Sequence, residues 1–114
     1  RAVVLTALAG PVGTRVLPAQ DAGVAGFVAR APWGGGATVA PRIDDAMTIL
    51  DARRRASPPD KRVRCGILLE NGAGADALEH AGWHEAWRAP RLIRGAPMTW
   101  RPEHLWGQFN HAMG

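Results

Sequence analysis

The chain has 114 residues, 46% of them hydrophobic and 21% charged, and carries a net charge of +4. Those values describe one globular domain large enough to bury a core and exclude a wholly disordered chain. The single cysteine, Cys65, excludes an internal disulfide framework and a cysteine-rich zinc site, and no apolar run approaches the ~18 residues of a membrane span.

In chain order, residues 1–9 read as the remnant of a helix stopped by Gly10-Pro11. The apolar start of "RAVVLTALAG" lacks the initiating Met and charged leading region of a signal peptide. "TRVLPA" is a short strand ended by Pro18. A hairpin follows, with arms at residues 24–30 and 37–40 and a turn at Gly34-Gly35-Gly36. Pro41 leads into "RIDDAMTILDARRR", where Ala46, Ile49, Leu50 and Arg53 recur at helical spacing and Asp44 and Asp45 occupy the first turn. "SPPD" ends that helix, because two prolines cannot continue it.

Alternation in "KRVRCGILLE" predicts a strand that enters from an edge and becomes buried. A glycine turn then gives a two-turn helix, "ADALEHA", with Gly82 at its C′ position. "WHEAWRAPRLIRG" reads as a strand interrupted at Pro90, and Pro102 opens a terminal helix with Leu105, Trp106 and Phe109 on one face. The expected fold is α+β: a mixed, mainly antiparallel sheet flanked by helices, running strand-helix-strand-helix-strand in its C-terminal part.

Several chemical motifs fail on context. Gly72 to Ala77 fits the G-x-G-x-x-[GA] spacing of a dinucleotide cradle. However, no carboxylate lies between Glu85 and Glu103, where the ribose-binding acid belongs. His80 and His84 are four apart, but Gly82 ends the helix between them, so they do not converge on a metal. Ser57, the only serine, has no G-x-S-x-G context, and Cys65 sits at an apolar strand position. Six basic residues fall in "DARRRASPPDKRVR", with no aromatic between Trp33 and Trp83 for base stacking. That run fits cations at a helix C-terminus better than a nucleic-acid surface. The five tryptophans fit core packing, with one or two free to mark an interface.

"RVRCGILLENGAGADALEHAGW" resembles the last conserved block of the GNAT N-acetyltransferase superfamily, in which a strand ends in Asn and a short helix runs to a Gly-aromatic pair. Here those are Asn71 and Gly82-Trp83. "GFVARAPWGGGATVAP", "DDAMTILDARRR", "RAPRLIRG" and "WRPEHLWGQFNHAMG" follow the order seen in the C-terminal half of two-domain bacterial members of the YitH-like type. The resemblance implies residues 1–22 as a remnant of preceding structure and 23–114 as a GNAT-like domain, with a first GNAT domain upstream as its partner.

It further implies acetyl-CoA as cofactor, an amine or other small molecule as acceptor, and contacts from Val39, Ala40, Arg42 and Asn71. Glu70 or His84 would take the amine proton. Two departures oppose activity. The family's [QR]-x-x-G-x-[GA] pyrophosphate loop is replaced by "APRIDDAM", whose Asp44 and Asp45 put negative charge at the anion-binding end of a helix. One like-charge contact at ~4 Å and an effective dielectric of ~20 costs ~4 kcal/mol. The family's frequent Tyr acid is replaced by Leu78. The leading expectation is therefore a domain that completes a substrate cleft or braces the upstream domain without catalysing alone. An active acetyltransferase and a basic interaction module are the alternatives. A cytoplasmic location, no membrane, no nucleic acid and assembly as a homodimer complete the expectations.

Overall fold

The computed structural model describes residues 6–7, 15–21, 23–30 and 36–107. Its order is β1 (Thr6–Ala7), β2 (Arg15–Pro18), β3 (Val24–Arg30), β4 (Gly36–Val39), α1 (Ile43–Ala56), α2 (Gly72–His80), a 3-10 turn (Pro102–His104) and β5 (Leu105–Gly107). The strands form one sheet in the order β1-β2-β3-β4-β5, and every pair is antiparallel. The fold is α+β.

The hairpin of β3 and β4 forms as its sequence suggests, with Val28 opposite Thr38, although β4 begins one residue earlier than expected. The tip of its turn, including Gly34 and Gly35, lies outside the described residues. One side of the sheet presents Leu17, Val28 and Ala40 to the helices, and these join Ala46, Ile49, Leu50, Leu78 and Trp106 in the core. On the other side, Val16, Phe27, Val39 and Leu105 stand in one cross-strand row. Such rows are the sheet's unit of side-chain stabilisation.

The sequence pattern explains α1 well. Ala46, Ile49 and Leu50 repeat at i, i+3, i+4 and are fully buried, while Asp44 and Asp45 begin the helix and Arg53, Arg54 and Arg55 end it. Burial of each large aliphatic here contributes about 1.5–3 kcal/mol over leaving it exposed. Asp51 and Arg55 pair along the exposed side at 2.9 Å. Ser57 closes the helix, its hydroxyl donating to the Arg53 carbonyl, just before the two prolines.

For α2, Asn71 is the N-cap and the C-terminus is a Schellman motif. The Trp83 N–H donates to the Leu78 carbonyl and the Gly82 N–H to the Glu79 carbonyl, with Gly82 at φ 87°. The motif needs its glycine because an L side chain in that conformation is strained. Leu78 and Trp83, which bracket the motif, both pack on the core.

Four expectations are corrected. Thr6–Ala7 are a strand paired with β2, not part of a helix; residues 1–5 and 8–9 lie outside the described set. β1 and β2 belong to the same sheet as β3. Residues 62–70 form no strand. Val63, Cys65 and Ile67 are half-buried and the last two pack on the core, but Gly66 and Leu68 are half-buried as well and Leu69 is exposed, and β4 is already paired on both sides. Residues 83–94 form no strand either: from 84 onward both faces are exposed, and Pro90 has no N–H to give a ladder. Finally, the expected terminal helix is a single 3-10 turn followed by β5, so Trp106 enters the core from a strand; Phe109 lies outside the described residues. Among the described residues no helix is long and apolar enough to cross a membrane.

Gly26 lets α1 approach the sheet. A Cβ there would lie 2.7 Å from Ile49 Cδ1, 2.8 Å from the Val39 carbonyl oxygen and 3.0 Å from Ala40 Cβ, whereas a Cβ on Gly66 would meet nothing within 4 Å. Gly26→Ala is expected to lower stability by about 1–3 kcal/mol, as overpacking does, and Gly66→Ala to stay within about 0.5 kcal/mol of the parent. Urea unfolding of the two variants checks this; equal midpoints would refute the close approach.

Candidate functional site

The positions assigned to a coenzyme are Val39, Ala40 and Arg42, where β4 passes into α1, and Asn71, where α2 begins. The fold links Ala40 and Asn71 through the 3-10 turn and the start of β5. The Ala40 N–H donates to the His104 carbonyl at 2.9 Å. Its own carbonyl accepts from the indole Nε1 of Trp106 at 3.2 Å, and Trp106 is 0% exposed. The Asn71 amide Nδ2 donates to the Glu103 carbonyl at 3.4 Å. Residues 103–106 therefore bond to both positions.

Val39 is paired on both sides, with Phe27 and with Leu105. A bulge between Thr38 and Val39 adjusts the register so that Leu105 and not Trp106 stands opposite Val39. The main chain at 39–40 thus spends its hydrogen-bonding capacity inside the fold. A thioester or pantetheine amide meets no splayed pair of strands here.

Asn71 is likewise committed. It is 3% exposed, and its Oδ1 accepts from the Gly74 N–H at 2.9 Å, satisfying one of the unpaired donors at the start of α2. With Nδ2 on Glu103, the side chain uses a donor and an acceptor to tie α2 to the turn before β5. Gly74 is small because it must be: a Cβ would fall 2.4 Å from Asn71 Nδ2 and 2.6 Å from its Oδ1.

Arg42 precedes α1 as its N-cap residue and gives no side-chain cap. Its guanidinium reaches Asp44 at 3.1 Å and Asp45 at 3.8 Å. The hydrogen bond from Arg42 holds the Asp44 carboxyl below its ordinary value, and the same bond raises Arg42. The cation that would meet a diphosphate is already matched by two carboxylates at the same helix end. Those carboxylates also favour the helix dipole, so the arrangement suits the helix rather than an anion.

Glu70 and His84 are exposed and have no hydrogen-bond or ion-pair partner among the described residues. Glu70 is beside Asn71 in the chain, while His84 begins an exposed stretch beyond α2. His80 bonds through Nδ1 to the Asp76 carbonyl at 2.8 Å, and α2 ends there. No group of three metal-ligating side chains occurs among the described residues. Burial pushes the Cys65 thiol up, only partly offset by Arg53, which leaves it a poor nucleophile.

Much of the basic run is also engaged. Arg53 donates to the Arg64 carbonyl, Arg54 donates to the Ala81 carbonyl and stands 5.3 Å from the Trp83 ring centre, and Arg55 pairs with Asp51. These contacts fasten α1 to the chain on either side of α2. Comparison with protein-family models, with curated proteins and with solved structures gives no match.

Trp106 is the residue whose part in this region the sequence concealed. Read on a helical face it is one apolar residue among three. Only the pairing of Leu105 with Val39 turns its indole toward the Ala40 carbonyl.

The Asn71–Gly74 contact predicts a strong coupling. Asn71→Ala is expected to cost about 1–3 kcal/mol, combining a lost cap with an unsatisfied carbonyl. Gly74→Ala should destabilise the parent through its clash, yet be neutral or stabilising in the Asn71→Ala background, where the clash is gone and alanine favours the helix. A double-mutant cycle by urea denaturation reads the coupling directly; additive costs would contradict it.

Proposed function

We propose that this chain is a GNAT-like half of an N-acetyltransferase that braces, or completes the acceptor cleft of, an upstream domain and does not itself hold acetyl-CoA. One observation carries the non-catalytic part of that reading. The backbone of Ala40 and the side chain of Asn71, the two positions best suited to a pantetheine arm, are both bonded to residues 103–106.

The GNAT assignment itself rests on the order of the sequence blocks. It is supported by an antiparallel sheet with α1 following β4 and by the Asn-capped α2 that closes on Gly82-Trp83. Against a coenzyme stand the carboxylates of Asp44 and Asp45 beside Arg42. The active-enzyme alternative needs the β4–β5 seam to part and a buried tryptophan to leave. Both steps expose main-chain groups that are now satisfied, at a cost of ~1–3 kcal/mol for each such group that finds no new partner. A bracing domain needs neither step.

Titration of acetyl-CoA into the chain followed by calorimetry is expected to give no saturable heat at micromolar concentrations. A micromolar dissociation constant, with Asn71 and Ala40 amide resonances shifting on binding, would overturn the non-catalytic reading.

A further inference from the structure

Residues 84–101 are exposed without a break. Within that stretch Leu92 is 94% exposed, Met98 78% and Ile93 65%. Single exposed aliphatics are ordinary on a protein surface, but several in one short segment mark a surface that another molecule covers. Among the described residues, the main chain from 88 to 100 makes no backbone–backbone hydrogen bond apart from the Arg101 carbonyl that follows it accepting from His104. Apart from Pro90 and Pro97, which have no N–H, its N–H and C=O groups have no backbone partner among the described residues and can pair with an added strand. Pro90 and Pro97 bracket the central piece, and Gly95 at φ 84° turns the chain at its end.

The charges identify the chemistry of the partner. Arg88 is paired with Glu85, whose carboxyl it holds below the ordinary range through their hydrogen bond, and Arg101 lies 3.8 Å from Glu103. Arg91 and Arg94 have no carboxylate partner among the described residues, and they flank Leu92 and Ile93. Arg91 is held 4.6 Å over the ring of Trp100, which fixes it in place and keeps its hydrogen-bonding edge available. In extended chain, three residues span about 10 Å and successive side chains point to opposite faces, so Arg94 shares a face with Leu92, and Arg91 shares the other with Ile93.

Other classes of partner fit less well. Nucleic acid offers phosphates to the arginines but nothing for Leu92, Ile93 and Met98, and the Trp100 face that would stack a base already carries Arg91. A bilayer would take the aliphatics, but an unpaired extended backbone is costly in lipid, and this segment has no amphipathic helix to lay on it. Trp, Met and Arg are instead the residue types enriched at protein interfaces.

We propose that residues 88–101 dock in extended form as a strand added to the sheet edge of an acidic protein, whose apolar and carboxylate side chains meet Leu92 and Arg94 on one face and Ile93 and Arg91 on the other. This goes beyond the acetyltransferase reading and stands without it, since it uses none of the coenzyme positions.

The test uses the whole chain and a fluorescent peptide of alternating Val and Glu, with a Val-Gln twin as control, followed by anisotropy at low and moderate salt. The acidic peptide is expected to bind, and its twin to bind about tenfold more weakly or not at all. Binding should weaken as salt rises. Leu92→Ser with Ile93→Ser, and separately Arg91→Gln with Arg94→Gln, should each lose about tenfold in affinity. Their far-UV circular dichroism and urea midpoints should match the parent, because the altered side chains are exposed. The proposal is overturned by any of three results: no binding of the Val-Glu peptide, parental affinity in either double variant, or tighter binding to oligo(dT) or phosphatidylserine vesicles than to the peptide.

Discussion

The closing of β5 onto β4 is the contact on which the rest of the molecule depends. Trp106 fills the core and its indole satisfies the Ala40 carbonyl, while the Ala40 N–H reaches back to His104. A three-residue strand makes few ladder bonds of its own. A buried tryptophan with its N–H paired supplies both apolar area and direction, which a short strand cannot do alone. This seam occupies the side of β4 away from β3, so the segment between α1 and α2 does not pair there. It packs through the side chains of Cys65 and Ile67 instead.

Asn71 extends the same seam to the second helix. It caps α2 with one end of its amide and bonds the turn before β5 with the other, so the start of α2 and the end of the sheet are positioned together. The absence of a side chain on Gly74 makes room for it. Buried amides of this kind specify geometry because each half must find its partner. The same property makes Asn71 a poor candidate for ligand contact: a ligand would have to replace the 2.9 Å cap bond to Gly74 and the longer 3.4 Å bond to Glu103.

How much of this was legible beforehand follows from the range of the interactions involved. The periodicity of α1, the glycine-closed end of α2 and the β3–β4 hairpin depend on neighbours within a few residues, and the sequence displays them. Residues 62–70 show the limit of a local pattern: Val63 alternates with exposed neighbours, but 65–68 are all half-buried and Leu69 is exposed, and the strand beside β4 comes from about 40 residues further on. The terminal Leu-Trp-Gly is ambiguous for the same reason, since its pairing with Thr38 and Val39 is invisible locally. Among the candidate site residues, Ala40 and Asn71 are linked through one short segment, a connection that the sequence does not display. That the segment fills the space between them depended on the long-range seam.

The functional picture joins these features. Ala40 and Asn71 are bonded internally, which supports the proposed non-catalytic reading, and the long exposed arginine- and aliphatic-bearing segment supports the proposed docking on another protein. That picture stands or falls on whether the seam stays shut. Amide and indole hydrogen exchange, followed residue by residue, tests it most directly. The Ala40 amide and the Trp106 indole proton should exchange among the slowest in the chain, at rates set by global unfolding. Exchange at either as rapid as that of the amides in 88–100 would mean an open β4 edge and would contradict the account.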